Sequence, residues 1–380
     1  MEIIRHCGFR YLLLIIVFWR FTAGLRAQEI QLLFAGDAMQ HQSQISAAFR
    51  DGKYDYSSCF KYVKNEISQA DLAIVNLEAP LGGRPHKGYP QFSMPDEFAA
   101  ALKDAGFSVF MTANNHAVDC HSKGINRTID VLDSLDVYHT GTFKNAPERE
   151  KQVPLTVVRK GIRMAFLNYT YGTNGIVPEL PCLVNMIDTA LIKDDVKKAR
   201  ATNPDVIIAV MHWGEEYKLL PNKSQEQIAR FLIRQGVDLI IGSHPHVVQP
   251  SQIYTDYAAK RTHLIVYSLG NFISGMKAVN TDGGQMISVT LKKKNGKTQI
   301  EFCGNLLVYT QQKRVGNKVD FTLIPVSSAE NMNEISPASS DVNKLKLDSS
   351  TYEKMMRFAN SARNLFRQYS EGIDEYRFLK

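Results

Sequence analysis

The sequence predicts an α/β fold, with two sheets of mixed direction packed face to face and helices outside. Three observations lead there. Short apolar runs alternate with helical patterns from residue 28 onward, nearly every run ends in a small polar cluster, and the composition is that of an ordinary globular chain. Hydrophobic residues make up 44% and charged residues 22% of 380 residues, which argues against a disordered, collagen-like or coiled-coil chain. No repeat of solenoid period stands out.

The elements follow in order. An apolar run at 30–35 reads as a strand, a helical pattern at 56–69 as a helix, and the run at 72–75 as a second strand. A helix at 95–104, a strand at 108–112, a helix at 122–135 and a strand at 137–138 continue the βαβ rhythm. The runs 153–158 and 163–168 form a hairpin turning at Lys160-Gly161. A helix at 189–201, a strand at 206–211, a helix at 224–235 and a strand at 239–241 resume the alternation. Strands are expected at 247–254, 263–268, 285–292 and 298–307. Beyond about residue 315 the composition shifts to Ser, Asn, Asp and Lys before a helical pattern at 349–369. The expected organisation is therefore a leader at 1–27, a main domain at 28–310 and a peripheral, mostly helical extension at 311–380.

The leader has the layout of a secretory signal peptide: Arg5, His6 and Arg10, an apolar run at 11–19, then Thr22, Ala23, Gly24 and Ala27. The run is short for a membrane span and Arg20 interrupts it; an uncleaved anchor reaching Leu25 is the alternative. No Cys follows Ala27, so a lipoprotein-type anchor is not indicated. The chain is expected to be exported, periplasmic or at the cell surface. Cys59, Cys120, Cys182 and Cys303 would then meet an oxidising compartment, but they lie far apart with no C-x-x-C spacing; buried free thiols or one disulfide is the expectation.

Charge says little about partners. The chain carries 45 Lys and Arg against 38 Asp and Glu; residues 1–27 hold four arginines against Glu2 alone, leaving 41 against 37 beyond them. That excess suits an anionic partner but falls short of a nucleic-acid-binding signature, and none is expected.

The strand ends carry the chemistry. The clusters are Gly36-Asp37, Asn76-Leu77-Glu78, Asn114-Asn115-His116, His212-Trp213-Gly214 and Gly242-Ser243-His244-Pro245-His246. Open α/β sheets bind ligands outside the carboxyl ends of their strands. Asp37 alone would read as a turn or cap residue. Five clusters bringing two carboxylates, an amide oxygen and four imidazoles are hard to ascribe to turns. Such donors suit Mn, Fe or Zn rather than a structural thiolate zinc site. Two ions sharing a carboxylate lower the pKa of bound water and clamp both oxygens of a hydrolytic displacement. His244 and His246 flank Pro245; an extended segment would point them to opposite faces unless a turn intervenes, and proline restricts His244 to extended backbone.

The series FAGDAM, VNLEAPL, TANNHAVDCHSKGI, MHWGEEY, GSHPHVVQP and YSLGNFI, over about residues 30–275, resembles the CapA family of poly-gamma-glutamate capsule-synthesis proteins. That family is similar to the calcineurin-like metallophosphoesterases, close to periplasmic nucleotidases. The resemblance implies a four-layer α/β/β/α sandwich of the metallophosphatase type with two divalent ions. By matched position, Asp37 is the first-motif metal aspartate and Glu78, rather than Asn76, the bridging carboxylate. Asn115 matches the metal-binding Asn, and His116 the residue that contacts the substrate and protonates the leaving group. His212 and His244 would complete the second ion and His246 the first. Asp119 either orients His116 or caps the helix. Asn271 either steadies a ligating His or serves as a turn residue. The pattern departs from the superfamily at Met39, where a ligating His is usual, and in lacking GD-x-x-D in the second motif; His41 is the substitute within reach.

The remaining candidates have blander readings. His121 reads as a capping residue, and His86 with Arg84 and Lys87 as a solvated loop. Trp213 and Glu215 border the cleft or pack. Two functions are implied. One is an exported metal-dependent hydrolase of phosphoester or amide bonds, linked to poly-gamma-glutamate or another capsule polymer. The other is a non-catalytic subunit that binds the polymer and assists export, alongside membrane-bound capsule-synthesis proteins.

Overall fold

A computed structural model describes residues 28–257, 261–316, 318–332 and 347–376. The leader expected at 1–27 lies outside the described residues. In chain order the principal elements begin with β1 (Gln28–Ala38), α1 (Gln42–Ala48), α2 (Lys64–Gln69), β2 (Leu72–Leu77), α3 (Asp96–Ala105), β3 (Val109–Met111), α4 (His121–Ser134) and β4 (Tyr138–Thr140). There follow α5 (Ala146–Gln152), β5 (Leu155–Arg159), β6 (Ile162–Thr170), α6 (Thr189–Ala201), β7 (Val206–His212), α7 (Lys223–Gln235) and β8 (Leu239–Ser243). The last part holds β9 (Ser251–Asp256), β10 (Arg261–Val266), β11 (Asn271–Ile273), β12 (Gly283–Lys294), β13 (Lys297–Val315), β14 (Lys318–Pro325), α8 (Val326–Met332), α9 (Ser349–Tyr369) and β15 (Asp374–Glu375).

Two mixed sheets result. The first runs β14-β13-β12-β1-β2-β3-β4, with β11 also pairing β1 and β15 pairing β13; the second runs β9-β10-β8-β7-β6-β5. From β1 to β4, and from β6 through β7 and β8 to β10, the pairing is parallel. The period-two alternation of strands sorts the side chains between cores. Ile30, Leu32 and Phe34 of β1 and Ile208 and Val210 of β7 fill the space between the sheets. Leu33 and Ala35 face the opposite way, onto Ile67 of α2, Phe98 and Leu102 of α3 and Leu132 of α4. Ile207, Ala209 and Met211 face Ile192 and Val196 of α6 and Leu232 of α7. The layers are therefore α/β/β/α, as expected, and strands buried on both faces explain the near-continuous apolar runs.

Most elements fall where the sequence puts them, and α6 does so to the residue. The hairpin turns at Lys160-Gly161 with φ of 48° and 78°, the type I′ signature. Four differences have local causes. The helix expected at 56–69 is regular only from Lys64, after a run of turns. Helix α1 lacks a standard N-cap residue; instead the His41 backbone N–H donates to Gln44 Oε1 at 2.8 Å, one half of a capping box. The strand expected at 247–254 starts only at Ser251, because the chain is still turning after the histidine pair. The boundary expected at 310 falls inside β13, which continues to Val315 and pairs with β14; its polar end, Lys313 to Val315, is exposed and still completes the ladder. The helix expected at 349–369 is α9, whose Phe358, Ala362 and Leu365 pack on Leu307 and Tyr309 of β13. Cys59, Cys120, Cys182 and Cys303 are free thiols. Among the described residues no helix is long and apolar enough to cross a membrane.

Candidate metal centre

Parallel strands of both sheets end at one place, and the chain passes closely there. Register shifts between Ala35 and Asp37, where β1 meets β2. At Gly36 a Cβ would stand 2.0 Å from Gly270 O, so only glycine allows β1 to approach the turn before β11. Asp37 follows, fully buried: its Oδ1 accepts from Asn76 Nδ2 at 2.8 Å and its Oδ2 from the His244 backbone N–H at 3.2 Å. Glu78, just past β2, is also fully buried, and neither of its oxygens has a hydrogen-bond partner among the described residues.

The imidazoles converge on these carboxylates. His212, the last residue of β7, has Nε2 at 3.5 Å from Glu78 Oε1 and 2.9 Å from Asn115 Oδ1, and Nδ1 at 3.1 Å from Ser243 Oγ. His246 Nε2 is 3.9 Å from Glu78 Oε1. Its Nδ1 is 3.1 Å from Asn271 Oδ1, and Asn271 Nδ2 donates to Thr281 O at 2.8 Å. With the amide committed that way, Oδ1 accepts from the His246 Nδ1–H and Nε2 keeps its lone pair for an ion. His244 Nδ1 has no partner among the described residues.

Two overlapping sets of ligand atoms emerge, Asp37 with Glu78 and His212, and Glu78 with His244 and His246; within each, the atoms lie within 4.8 Å of one another. Glu78 belongs to both, the place expected of a bridging carboxylate. His212 groups with Asp37 and His244 with His246, while His246 Nδ1 also lies 3.4 Å from Asp37 Oδ2 and the His212 and His244 rings 4.8 Å apart, the pairings the sequence led one to expect. The histidine pair is not extended. His244 has φ 99° and His246 φ 59°, a left-handed turn on each side of Pro245 that brings both rings to Glu78, 5.9 Å apart. Such backbone is costly for residues with a Cβ and concentrates at functional sites.

The electrostatics agree with a cation. Burial opposes the charge of Asp37, but the hydrogen bond and charge of His246 and the charge of His212 outweigh it and hold the carboxyl well below its usual range. Burial and the charge of Asp37 push Glu78 well above its usual value. Burial and the charge of His246 lower His244 to about 3, and burial and the charge of His244 lower His212. An orphaned, fully buried carboxylate is uncommon, because its desolvation is offset by nothing. Divalent ions would satisfy it, and carboxylate, amide and imidazole donors fit Mn, Fe or Zn.

Beside the clusters stands the proton-handling pair. His116 Nδ1 lies 2.8 Å from Asp119 Oδ2, which also accepts from the Phe92 backbone N–H at 2.8 Å. Of the two roles expected of Asp119, orienting His116 or capping the helix, the contact matches the first, and the N-cap of α4 is Cys120. Asn76 Nδ2 lies 2.8 Å from Asp37 Oδ1 and 3.4 Å from His212 Nδ1, and its buried Oδ1 has no hydrogen-bond partner among the described residues. Met39 is buried in the core on the helix side, so no ligand replaces the missing histidine there. His41 Nδ1 accepts from the Gly275 N–H at 3.1 Å. Trp213 packs in the outer core and donates to Tyr267 O, Glu215 accepts from Asn222 at 3.1 Å, His121 opens α4, and His86 meets Tyr54 edge-on.

Three residues escaped the sequence reading: Asn174, whose side chain reaches both Asn115 (3.2 Å) and His116 (3.3 Å); Tyr171, whose ring lies 4.5 Å from that of His244; and Tyr217, 6.3 Å from His246. Tyr171 and Asn174 sit in a loop with no motif, whereas Tyr217 closes the MHWGEEY stretch. The position of Tyr171 directly after a strand end was the other available signal.

Comparisons with known proteins cover the stretch that carries these residues. The family model described as "Bacterial capsule synthesis protein PGA_cap" matches residues 31–276. The capsule biosynthesis protein CapA of Bacillus anthracis is 28% identical over 278 residues, 70% of this chain and 64% of that protein. The PGA biosynthesis protein CapA of Bacillus subtilis (strain 168) is 28% identical over 284 residues, 70% of this chain and 69% of that protein. The chain thus spans just under two thirds of the first relative's length. Among solved structures, the NAD nucleotidase of Haemophilus influenzae superposes with a TM-score of 0.50 at 11% identity, over 90% of this chain and 68% of that one. That likeness is one of fold, the metallophosphatase-type sandwich.

Proposed function

The chain belongs to the bacterial capsule synthesis protein PGA_cap family, and from that premise we propose that it is an exported metal-dependent hydrolase. Its bond is a phosphoester or an amide, and its context the synthesis of poly-gamma-glutamate or another anionic capsule polymer, beside membrane-bound capsule-synthesis proteins. One observation carries the reading: two buried ligand sets share Glu78 next to the His116–Asp119 pair. The names of the two CapA relatives support the capsule context, and the signal-like layout of residues 1–27 supports export.

The ligands would be Asp37, Glu78 and His212 for one ion and Glu78, His244 and His246 for the other, with the Asn115 amide oxygen beside His212. Bound divalent ions supply Lewis acidity and hydroxide at neutral pH. The chain supplies the rest. Asn76 and the His244 N–H hold the two oxygens of Asp37 in place. Asn271 fixes the ring of His246. Asp119 takes the hydrogen bond of His116 Nδ1–H, leaving Nε2 to pass a proton to the leaving oxygen or nitrogen.

A second reading, a polymer-binding subunit without catalysis, is favoured by buried Met39, which leaves the first site short of a ligand. Hydrolysis of a generic phosphodiester and of poly-gamma-glutamate, with and without added manganese, separates the two. Metal-dependent turnover of either substrate supports the hydrolase; metal bound without turnover of either supports the binding subunit.

A further inference from the structure

One wall of the centre comes from the segment after β6. The Tyr171 backbone N–H donates to His212 O at 2.9 Å, which pins the residue to the end of the strand that presents a ligand. Its ring lies 4.5 Å from that of His244 and is stacked on that of His212 at 6.4 Å and 13°. A tyrosine serving only to cover two imidazoles would be buried with them, yet Tyr171 is 46% exposed. Its phenol hydroxyl is an O–H donor at neutral pH by its ordinary pKa. Three residues on, Asn174 joins the same wall to His116 at 3.3 Å. A neutral O–H donor therefore belongs to a wall that touches ligand residues through Tyr171 and the proton donor through Asn174.

We propose that Tyr171 is a substrate-binding residue, its hydroxyl donating to an anionic oxygen of the substrate, phosphoryl or tetrahedral carbonyl-derived, held beside Asn115 and His116. The inference rests on the hydrolase reading for its substrate, but binding of a simple oxyanion tests it without turnover.

Tyr171→Phe keeps the ring on the imidazoles and removes only the donor. Inorganic phosphate is titrated calorimetrically into the manganese-loaded full chain, wild type and variant, with metal content measured on both. The expected result is unchanged metal content and phosphate affinity weaker by about tenfold, the loss of one hydrogen bond to a charged acceptor. Equal affinity in the variant, no phosphate binding by the wild type, or loss of metal together with phosphate would each overturn the proposal. Absence of wild-type hydrolysis with this affinity difference intact would sink the hydrolase reading and leave the phosphate contact standing.

Discussion

Replacing Glu78 by Gln changes one atom in a residue that both ligand sets share, so its effect on metal binding should exceed that of any other single change. An ion present at one hundred times its dissociation constant stabilises the folded state by about 2.7 kcal/mol, so two ions give about 5 kcal/mol. For a chain of this size the unfolding entropy is about 0.7 kcal/mol per degree, and the wild type should melt about 7 °C higher with manganese than with chelator. In Glu78→Gln both sets lose their common anion, and the shift should shrink below about 2 °C. In chelator the variant should melt no lower than wild type, because the Glu78 carboxyl is buried beside the charge of Asp37 and the neutral amide of Gln keeps a donor toward it. Differential scanning fluorimetry with and without manganese reads both quantities. A variant that keeps the full metal-induced shift would refute the shared role of Glu78.

Other expectations follow from the same geometry. His116→Ala should slow hydrolysis by about 10²–10⁴-fold, the usual range for a general acid, with metal content unchanged; undiminished turnover contradicts the assignment. Asn271→Ala should weaken metal affinity by about 10–100-fold through the loosened His246 ring, with partial rescue in Asn271→Asp; equal affinity by metal titration would reduce Asn271 to a turn residue. The metal-free protein should lose stability in both pH directions. His244, lowered from 6.5 to about 3, contributes stability that is complete above pH 6.5 and fades as pH falls toward 3. Glu78, raised above 4.5, contributes stability that is complete below pH 4.5 and fades as pH rises through its folded value. Added metal should remove the second loss, since it favours the ionised carboxylate. Melting temperatures in chelator that stay flat from pH 4.5 down to pH 3, where the Glu78 contribution is already complete, would contradict the His244 part.

Much of this was legible in the sequence because the physics is local. Strands buried on both faces must be apolar throughout, so β7 and β8 stand out as runs, and polar residues at their ends have no other exit than the edge of the sheet. Asp37, Glu78, His212 and His244 were found this way. What stayed hidden depends on long-range contact or on backbone that periodicity does not encode. The convergence of both rings of the histidine pair follows from positive φ at His244 and His246, which a proline rule points away from. Helix α1 is capped by the Gln44 side chain reaching back to the His41 N–H rather than by a Ser, Thr, Asp or Asn N-cap. Strand β14 is held by its pairing with β13, in a stretch where composition suggested a tail. Tyr171 and Asn174 reach the centre only because β6 lies beside β7.

The most direct test of a two-ion centre built on Glu78 is the metal stoichiometry of the purified chain by elemental mass spectrometry, after equilibration with manganese and removal of the excess. Two ions per wild-type chain, lost in Glu78→Gln, is the predicted result. One ion or none in the wild type, or two retained in the variant, would contradict it.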